Sequence, residues 1–415
     1  MIKEHKIGLF SAIIISMNGM IGAGIFSVPI KLIAQAGPAG LLTYTLVSIA
    51  VWFIALALSR TAQMWPQEGS FYMYARQWGG HSMGLIAAGS YIFGLMIALG
   101  LLSGMAGTYM HTYFTSIPAG ILSFITIILV ALINITGLRI AQLGQYILIC
   151  CTLIPILLTT LLCLSHADMH NLFPFMPFGA FNALAASKAV IFGFFGFECA
   201  ASLFSIIEDP EKNVPKALTS SLVLVSLLYI CFVGSLILAI PLSVFQEAAS
   251  INAPLTYVLI PLFKNYSWML SIINCSITTA IIGVLYAMTF ACGKLLSSLS
   301  YRCTTKSFHL SSSTAIMLIA LGTVITFITL NNANLFFSLT ALFILTSFIL
   351  SIIALLVHKK HIIMTTLALI TASVLFAFAA HGLWVELNKN FILHYANSDC
   401  KKYKKSIKIK FDGTQ

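Results

Sequence analysis

Glycines interrupt two apolar segments of this 415-residue sequence, and backbone groups at such interruptions can bind a small polar ligand. In the first segment, Gly19, Gly22 and Gly24 are followed by Pro29. Glycine and proline both weaken a helix, so we expect this segment to unwind near its middle. The N–H groups at the start of the next half-helix would then be free to bind a carboxylate or another anion. The alternative is that the glycines only let two helices pack closely.

The second interrupted segment contains Gly193 and Gly196 near its middle, followed by Glu198. Glu198 is the only one of the eleven acidic residues that we place deep inside an apolar segment. A charge in such surroundings costs about 2.5–3.5 kcal/mol on membrane-insertion scales, which makes this residue a candidate functional group. It could contact the ammonium group of a ligand or act as a proton-linked gate. The alternative is a protonated carboxyl that bonds a neighbouring helix.

Aromatic and amide side chains lie beside both interruptions. Phe192, Phe195 and Phe197 could cover the side chain of a ligand or close the site by rotating. Tyr286 is a second candidate lid. Asn18 is a further candidate for ligand binding. For each of these residues, contact with a neighbouring helix or with lipid is the more common role.

The composition requires membrane helices to position these residues. Hydrophobic residues make up 59% of the chain and charged residues only 8%, against about 25% charged in soluble domains. This argues against a water-soluble enzyme, a nucleic-acid-binding protein or a disordered scaffold. The formal net charge is +11, but the basic residues lie between apolar runs instead of forming one patch. Nucleic acid is therefore not an expected partner.

Eleven apolar segments are long enough to cross about 30 Å of hydrocarbon as helices. We predict an all-α polytopic membrane protein with a cytoplasmic N-terminus at residues 1–7, a transmembrane domain at 8–387 and a lysine-rich polar tail at 391–415. The predicted spans are 8–33, 39–62, 83–113, 118–138, 142–164, 183–207, 217–240, 268–296, 313–330, 334–357 and 361–387.

The basic residues orient these spans, because cytoplasmic loops are enriched in lysine and arginine. With the N-terminus in the cytoplasm, twelve basic residues fall on the cytoplasmic side and four on the opposite side. The twelve are Lys3, Lys6, Arg60, Arg76, Arg139, Lys212, Lys216, Lys294, Arg302, Lys306, Lys359 and Lys360, and the four are Lys31, Lys188, Lys264 and Lys389. The tail departs from this pattern, so it either lies outside or re-enters through a further element. We expect the protein in the cell inner (plasma) membrane.

The two interruptions occupy corresponding places in two sets of five spans. Spans one and six begin repeats over about 8–164 and 183–357, and an extra helix covers 361–387. Matched interruptions of this kind point to an inverted-repeat transporter with its binding site near the middle of the membrane. Free N–H groups would bind a carboxylate and free carbonyls would bind an amine. Together these requirements describe an amino acid.

Several of these segments resemble the amino acid–polyamine–organocation superfamily of permeases. The resemblance rests on residues 21–26 in span one, 192–198 in span six and 208–217 in the loop that follows. A weaker match covers residues 65–74, which look like the family's loop between spans two and three, with Ser70 where a second glycine is usual.

Within the superfamily, the chain looks most like basic amino acid and polyamine antiporters, because residues 152–156 resemble their version of span five. This resemblance implies a LeuT-type fold with discontinuous helices one and six, alternating access, and exchange or proton-linked transport without sodium. Cationic amino acids and polyamines are the implied substrates. Leu285 stands where the antiporters often have tryptophan, and the usual twelfth span is missing, so a neutral amino acid stays open.

The resemblance also implies roles for single residues. The substrate carboxylate would be held at the first interruption, by Gly22, Ala23 and Gly24. The amine side and the gate would be formed at the second, by Phe192, Phe195 and Glu198. Ile21, Ile25 and Gly196, next to these residues, are further candidates for substrate binding.

Two other functions are compatible with the sequence. The missing twelfth span and the basic tail favour a transport-inactive sensor that only binds amino acids. An intramembrane enzyme would need a nucleophile–base pair or metal ligands at membrane depth, whereas His111 and His381 lie near span ends and far apart. We therefore predict that the protein is not an enzyme and uses no cofactor or metal. The expected partners are a small amino acid or amine, the lipid bilayer and a second copy in a homodimer.

Overall fold

The computed structural model describes residues 6–67, 69–136, 138–251, 253–263, 267–303, 310–330 and 332–411. Side chains are described in these ranges except at residues 23, 27, 138–143, 205, 267, 302–303 and 389–411. The regular structure in these ranges is helical, and one isolated backbone bridge joins Ile7 to Ile207.

Sixteen α-helices follow one another along the described chain. They are α1 (Leu9–Met20), α2 (Ala23–Ala36), α3 (Gly40–Met64), α4 (Ser70–His111), α5 (Ala119–Ile135), α6 (Leu138–Ser165), α7 (Gly179–Ala185), α8 (Ser187–Phe192), α9 (Cys199–Ser202), α10 (Pro210–Ala239), α11 (Leu242–Ser250), α12 (Leu255–Leu259), α13 (Ser267–Cys303), α14 (Ser312–Thr329), α15 (Ala333–Val357) and α16 (Ile362–Phe411). Short 3₁₀ turns lie at Gly37–Ala39, Met169–Leu172 and Phe204–Ile206.

Within the described residues, eight helical segments are long and apolar enough to cross a membrane. They are Gly24–Met64, Ser70–His111, Gly144–Ser165, Pro210–Ala239, Trp268–Tyr301, Ser312–Thr329, Ala333–Val357 and Ile362–Asn388. Shorter apolar helices occupy Leu9–Met20, Ala119–Ile135 and Gly179–Phe192, which fall in the predicted first, fourth and sixth spans. This all-helical organisation is that of a polytopic membrane protein.

Large apolar side chains point outward along these helices. Leu161 on α6 is 64% exposed, Ile328 on α14 is 66% exposed and Ile363 on α16 is 80% exposed. Contiguous apolar surface of this kind is unfavourable in water and marks contact with a membrane or a partner. Here it runs along the helices that are long enough to span a bilayer, so we assign it to lipid.

Some predicted boundaries are wrong. The predicted loop at residues 65–74 is shorter, because α4 already begins at Ser70. This helix bends at Gly80, whose φ of 68° is readily adopted only by glycine. The loop predicted at 208–217 is also shorter, since α10 begins at Pro210. Pro215, the second proline of the predicted loop, lies inside this helix. At the other end of the chain, α16 continues beyond residue 387 to Phe411. The lysine side chains of the predicted tail lie outside the described residues.

The helices that carry the two interruptions lie next to each other at the centre of the molecule. α1 contacts α6, α9, α10 and α13, and α2 contacts α7 and α8. Phe194 in the second interrupted segment and Tyr229 on α10 are completely buried at this centre. The packing therefore brings the two interrupted segments together, as a shared site requires.

The N-terminal end of the molecule is closed by backbone hydrogen bonds. The Ile7 N–H donates to the Ile206 carbonyl at 2.8 Å, and the Glu208 N–H donates to the Ile7 carbonyl at 2.9 Å. These bonds connect Ile7, which lies just before α1, to the chain between α9 and α10. The start of the first interrupted segment is thereby fixed to the end of the second.

Candidate functional site

The first interruption is short and lies where the glycines predict it. α1 ends at Met20, where the Ile21 N–H still bonds the Met17 carbonyl, and α2 starts at Ala23. Gly22 has φ −146° and ψ −132°, which ends the helical path. The first N–H groups of α2 have no partner within the helix. Pro29 lies inside α2, so the proline does not mark the break.

The second interruption is longer. α8 ends at Phe192, and residues 193–198 form turns before the single turn of α9 at Cys199–Ser202. Gly196 has φ +118°, a conformation that a side chain makes unfavourable. The irregular backbone is buried inside the protein, which is where such backbone is tolerated at membrane depth.

The two interruptions contact each other through glycine backbones. A Cβ atom on Gly24 would overlap the Cα atom of Gly193 on the facing segment. A Cβ atom on Gly19 would lie 3.0 Å from the carbonyl oxygen of Gly196. Close packing, the alternative explanation of the glycines, is therefore present. It does not exclude binding, because the same packing brings the unwound backbone of both segments to one place.

Tyr229 on α10 connects the two interruptions, although no sequence pattern singles it out. Its hydroxyl lies 2.6 Å from the Met20 carbonyl oxygen and 2.9 Å from the Gly193 carbonyl oxygen. A phenol has one proton, so the two acceptors share it. The carbonyls that end α1 and follow α8 are thus already satisfied, whereas we expected free carbonyls at both breaks.

A small pocket lies between the two segments. Its volume is about 10 Å³, close to the minimum for one water molecule. It is lined by Gly19, Met20, Gly22, Gly24, Ala98, Leu102, Phe192, Phe195, Val284 and Met288. An amino acid cannot enter this volume unless the surrounding helices move apart. The structure therefore corresponds to a closed form of the central pocket.

A much larger cavity, here called the vestibule, opens on the side away from the N-terminal end. Its volume is about 760 Å³. Its walls come from α2, α4, the start of α5, residues 248–249 and 253–254, and the facing ends of α14 and α15. Phe337 lines the vestibule and Phe192 lines the central pocket, and their rings meet edge to face with centroids 4.8 Å apart. These two rings form a partition between the spaces.

Glu198 lies beside the pocket but does not line it. The side chain is fully buried, and its Oε2 atom accepts a hydrogen bond from the Gly196 N–H at 2.9 Å. Among the described residues, no group lies in full hydrogen-bond geometry with its Oε1 atom. The hydroxyl of Tyr91, equally buried, is the polar and electrostatic neighbour of this carboxyl. The carboxyl therefore holds its own turn through Oε2.

The structure brings together four of the predicted site residues, Gly22, Gly24, Phe192 and Phe195, as walls of the pocket. Six others do not line it: Asn18, Ile21, Ile25, Gly196, Glu198 and Tyr286. Asn18 donates from Nδ2 to the carbonyl and the Oε1 atom of Gln145 on α6, at 2.7 and 2.6 Å, so it connects helices. The Tyr286 ring lies against Gly144. The side chain of Ala23 lies outside those described.

The other walls of the pocket were not predicted from the sequence. Val284 and Met288 come from α13, and Ala98 and Leu102 come from α4. All four are ordinary apolar residues one helical turn apart on long apolar helices, so the only available signal was the spacing within each pair.

A second buried carboxyl was missed as well. Glu386, near the end of the last apolar segment, is 5% exposed. We predicted only Glu198 as an acidic residue deep inside an apolar segment, so this second buried carboxyl was not expected. Its two oxygens accept hydrogen bonds from the amides of Asn332 at 3.0 Å and Asn334 at 3.1 Å. The predicted last span, 361–387, already contains this residue, but only one position from its end.

Comparison with known proteins matches the chain to a described family. The family described as "Amino acid permease" matches residues 7–383. Individual relatives include a branched-chain amino acid permease, BcaP, of Bacillus subtilis, 24% identical over 69% of this chain and 66% of its own length. A gamma-aminobutyric acid permease of Escherichia coli is 25% identical over 69% of this chain and 64% of its own. The histidine permease HisP of Lactococcus lactis is 26% identical over 69% and 63%. In each case the chain spans less than two thirds of the relative.

Proposed function

Because the chain belongs to the amino acid permease family, we propose that it is a secondary transporter that moves amino acids across the membrane by alternating access. The observation that carries this proposal is the contact of two interrupted helices around one central pocket. Unwound backbone at membrane depth is expected where it lines a binding site. The permease names of the relatives support an amino acid as the substrate.

We propose that the substrate carboxylate binds at the start of α2. The first turn of this helix supplies N–H groups without intrahelical partners at Ala23, Gly24 and Ile25, preceded by Ile21 and Gly22. The positive end of the helix dipole favours an anion there. The amine would face the turn at residues 193–198. Since Tyr229 bonds the Met20 and Gly193 carbonyls, the amine must bind other acceptors or replace that hydroxyl.

The two closures support a transport cycle. On one side, the Phe192–Phe337 partition separates the pocket from the vestibule. On the other side, the Ile7 bonds fix α1 to the chain after α9. Movement of Phe192 would admit substrate from the vestibule, and loss of the Ile7 bonds would release it at the opposite end. Alternation of these two events is the proposed mechanism.

The finer architecture is part of the same proposal. It consists of eleven spans arranged as a LeuT-type five-plus-five inverted repeat with an extra helix at the end, a cytoplasmic N-terminus and an inner (plasma) membrane location. The matching places of the two interruptions support the repeat. The excess of basic residues on the N-terminal side supports the orientation. A homodimer stays a prediction.

We propose that Glu198 provides the coupling, in proton-linked transport or in exchange. Glu198→Ala removes the acceptor of the Gly196 N–H, so uptake should fall by about tenfold or more, since an unsatisfied buried donor costs about 1–3 kcal/mol. Glu198→Gln keeps an acceptor but cannot ionise, so uptake should continue and lose its response to a pH gradient. The measurement is uptake into proteoliposomes with and without the gradient. A Glu198→Gln variant with the wild-type response would refute the coupling role.

Counterflow tests the proposed function itself. Proteoliposomes are preloaded with one unlabelled compound and the accumulation of its labelled form is measured at two pH values. The compounds are arginine, lysine, ornithine and putrescine for the predicted cationic class, and leucine, asparagine, histidine and gamma-aminobutyric acid for other classes. We expect counterflow of at least one amino acid. Measurable binding without any counterflow would instead support the amino acid-binding sensor.

A further inference from the structure

A single lysine stands out in the wall of the vestibule. Lys31 follows the first interruption by two turns of α2, and its side chain lines the cavity. Its Nζ atom lies 5.4 Å from the centroid of the Phe337 ring, within cation–π distance. Phe337 is half of the partition, so this charge lies next to the entrance of the central pocket.

The rest of the vestibule wall does not offset this charge. Among the described lining residues, Lys31 is the one lysine or arginine, and none is acidic. His111, the other titratable cation-forming residue there, donates its Nδ1–H to the Ile117 carbonyl at 2.9 Å. Ala333, the first residue of α15, adds the positive end of a helix dipole to the same wall.

The ionisable neighbours behind the wall leave the region positive. Glu386 and Lys188 are the groups that act electrostatically on Lys31. The three residues together carry a formal charge of +1, and the Glu386 oxygens already accept the bonds from Asn332 and Asn334. A cavity with low-dielectric walls concentrates the field of such a group.

We propose that the vestibule is a charge filter with Lys31 as the specificity-determining residue, which admits amino acids without net positive charge and repels cationic amino acids and polyamines. This inference rests on the proposed transport function and narrows its substrate class. A carboxylate is attracted toward the partition, close to the start of α2 that would bind it next. A compound with one or two extra ammonium groups is repelled at the same point.

Substrate selectivity gives the first test. The measurement compares uptake of arginine and putrescine with uptake of the best neutral substrate in wild type, Lys31→Arg, Lys31→Gln and Lys31→Glu. We expect Lys31→Arg to resemble wild type and Lys31→Glu to raise the cationic-to-neutral ratio by about tenfold or more, because the local charge changes by two units. Lys212→Gln, an exposed lysine at the start of α10, is the control for a general loss of charge. An unchanged ratio in Lys31→Glu overturns the filter.

Thiol modification tests the filter without transport. Thr108 lines the vestibule and is exposed, so Thr108→Cys can report on the local field. Its reaction rates with sulfonatoethyl and trimethylammonioethyl methanethiosulfonate are measured, and the rates of the same protein with Thr108 intact are subtracted. Because the two reagents carry opposite charges, removal of the Lys31 charge slows one and speeds the other, so Lys31→Gln should lower the anion-to-cation rate ratio by roughly severalfold.

The two measurements separate the filter from the transport proposal. If wild type shows no counterflow but the rate ratio at Thr108→Cys falls with Lys31→Gln, the transport proposal is wrong and the charged vestibule is supported. If the rate ratio is the same with and without Lys31, the filter is wrong even when transport is normal. Size-exclusion chromatography and thermal unfolding in detergent show whether the Lys31 and Thr108 variants are correctly folded.

Discussion

Gly24→Leu should reduce amino acid counterflow by about a hundredfold, an effect expected when binding groups are displaced by about 1 Å. The physical reason is the contact between the two interruptions. A Cβ atom at this position would overlap the Gly193 Cα atom, and backbone cannot move aside as the end of a side chain can. The two segments must therefore separate, and the start of α2 moves away from the turn at residues 193–198. The measurement is counterflow in proteoliposomes with equal amounts of inserted protein.

The matched control is Gly89→Leu on α4. Nothing lies within 4 Å of a Cβ atom there, so the same side chain should be accommodated with near-normal counterflow. Gly24→Ala is the milder variant for the case that Gly24→Leu does not fold. Normal counterflow by correctly inserted Gly24→Leu would show that the contact of the two glycines is not needed for transport.

Tyr229→Phe should lower both stability and counterflow. It removes the hydroxyl that bonds the Met20 and Gly193 carbonyls and leaves two buried acceptors without it. An unsatisfied buried polar group costs about 1–3 kcal/mol, so the apparent unfolding temperature should fall clearly. We expect counterflow to fall by about tenfold, because the two interruptions lose the one side chain that bonds both of them. Thermal unfolding in detergent and counterflow are the measurements.

Tyr44→Phe is the matched control for this prediction. Tyr44 is equally buried and packs edge to face against Tyr229 with ring centroids 6.0 Å apart. Its hydroxyl has no hydrogen-bond partner in the structure, so its removal should change stability little. If Tyr229→Phe and Tyr44→Phe behave alike, the shared hydrogen bond does not matter for either property.

The interruptions could be predicted because their cause is local. Gly22 and Gly196 change the backbone at their own positions, so residue type and spacing are enough to locate the breaks. The same holds for Phe192 and Phe195, which are so close in sequence to the second break that they reach its pocket. Local chemistry of this kind is visible in one sequence.

The partners of the interruptions could not be predicted, because they come from distant helices. Tyr229 reaches the first break from 209 residues away, and Val284 is one apolar residue among many on α13. The spacing of apolar residues along a helix does not distinguish the face that lines the pocket from a face that packs against another helix. The direction of a side chain is equally hidden: Glu198 is buried, but its hydrogen bond to Gly196 was not foreseen.

The central claim is that the pocket between the interruptions binds the transported amino acid, and a selectivity change at Val284 tests it most directly. The Val284 side chain faces Gly22 across the pocket. Val284→Ala enlarges the space beside the substrate, so kcat/KM for larger amino acids relative to smaller ones should rise by about tenfold, the effect of a change of a methylene or two in an apolar pocket. A Val284→Ala protein that transports at the wild-type rate with an unchanged ratio would place the binding site elsewhere.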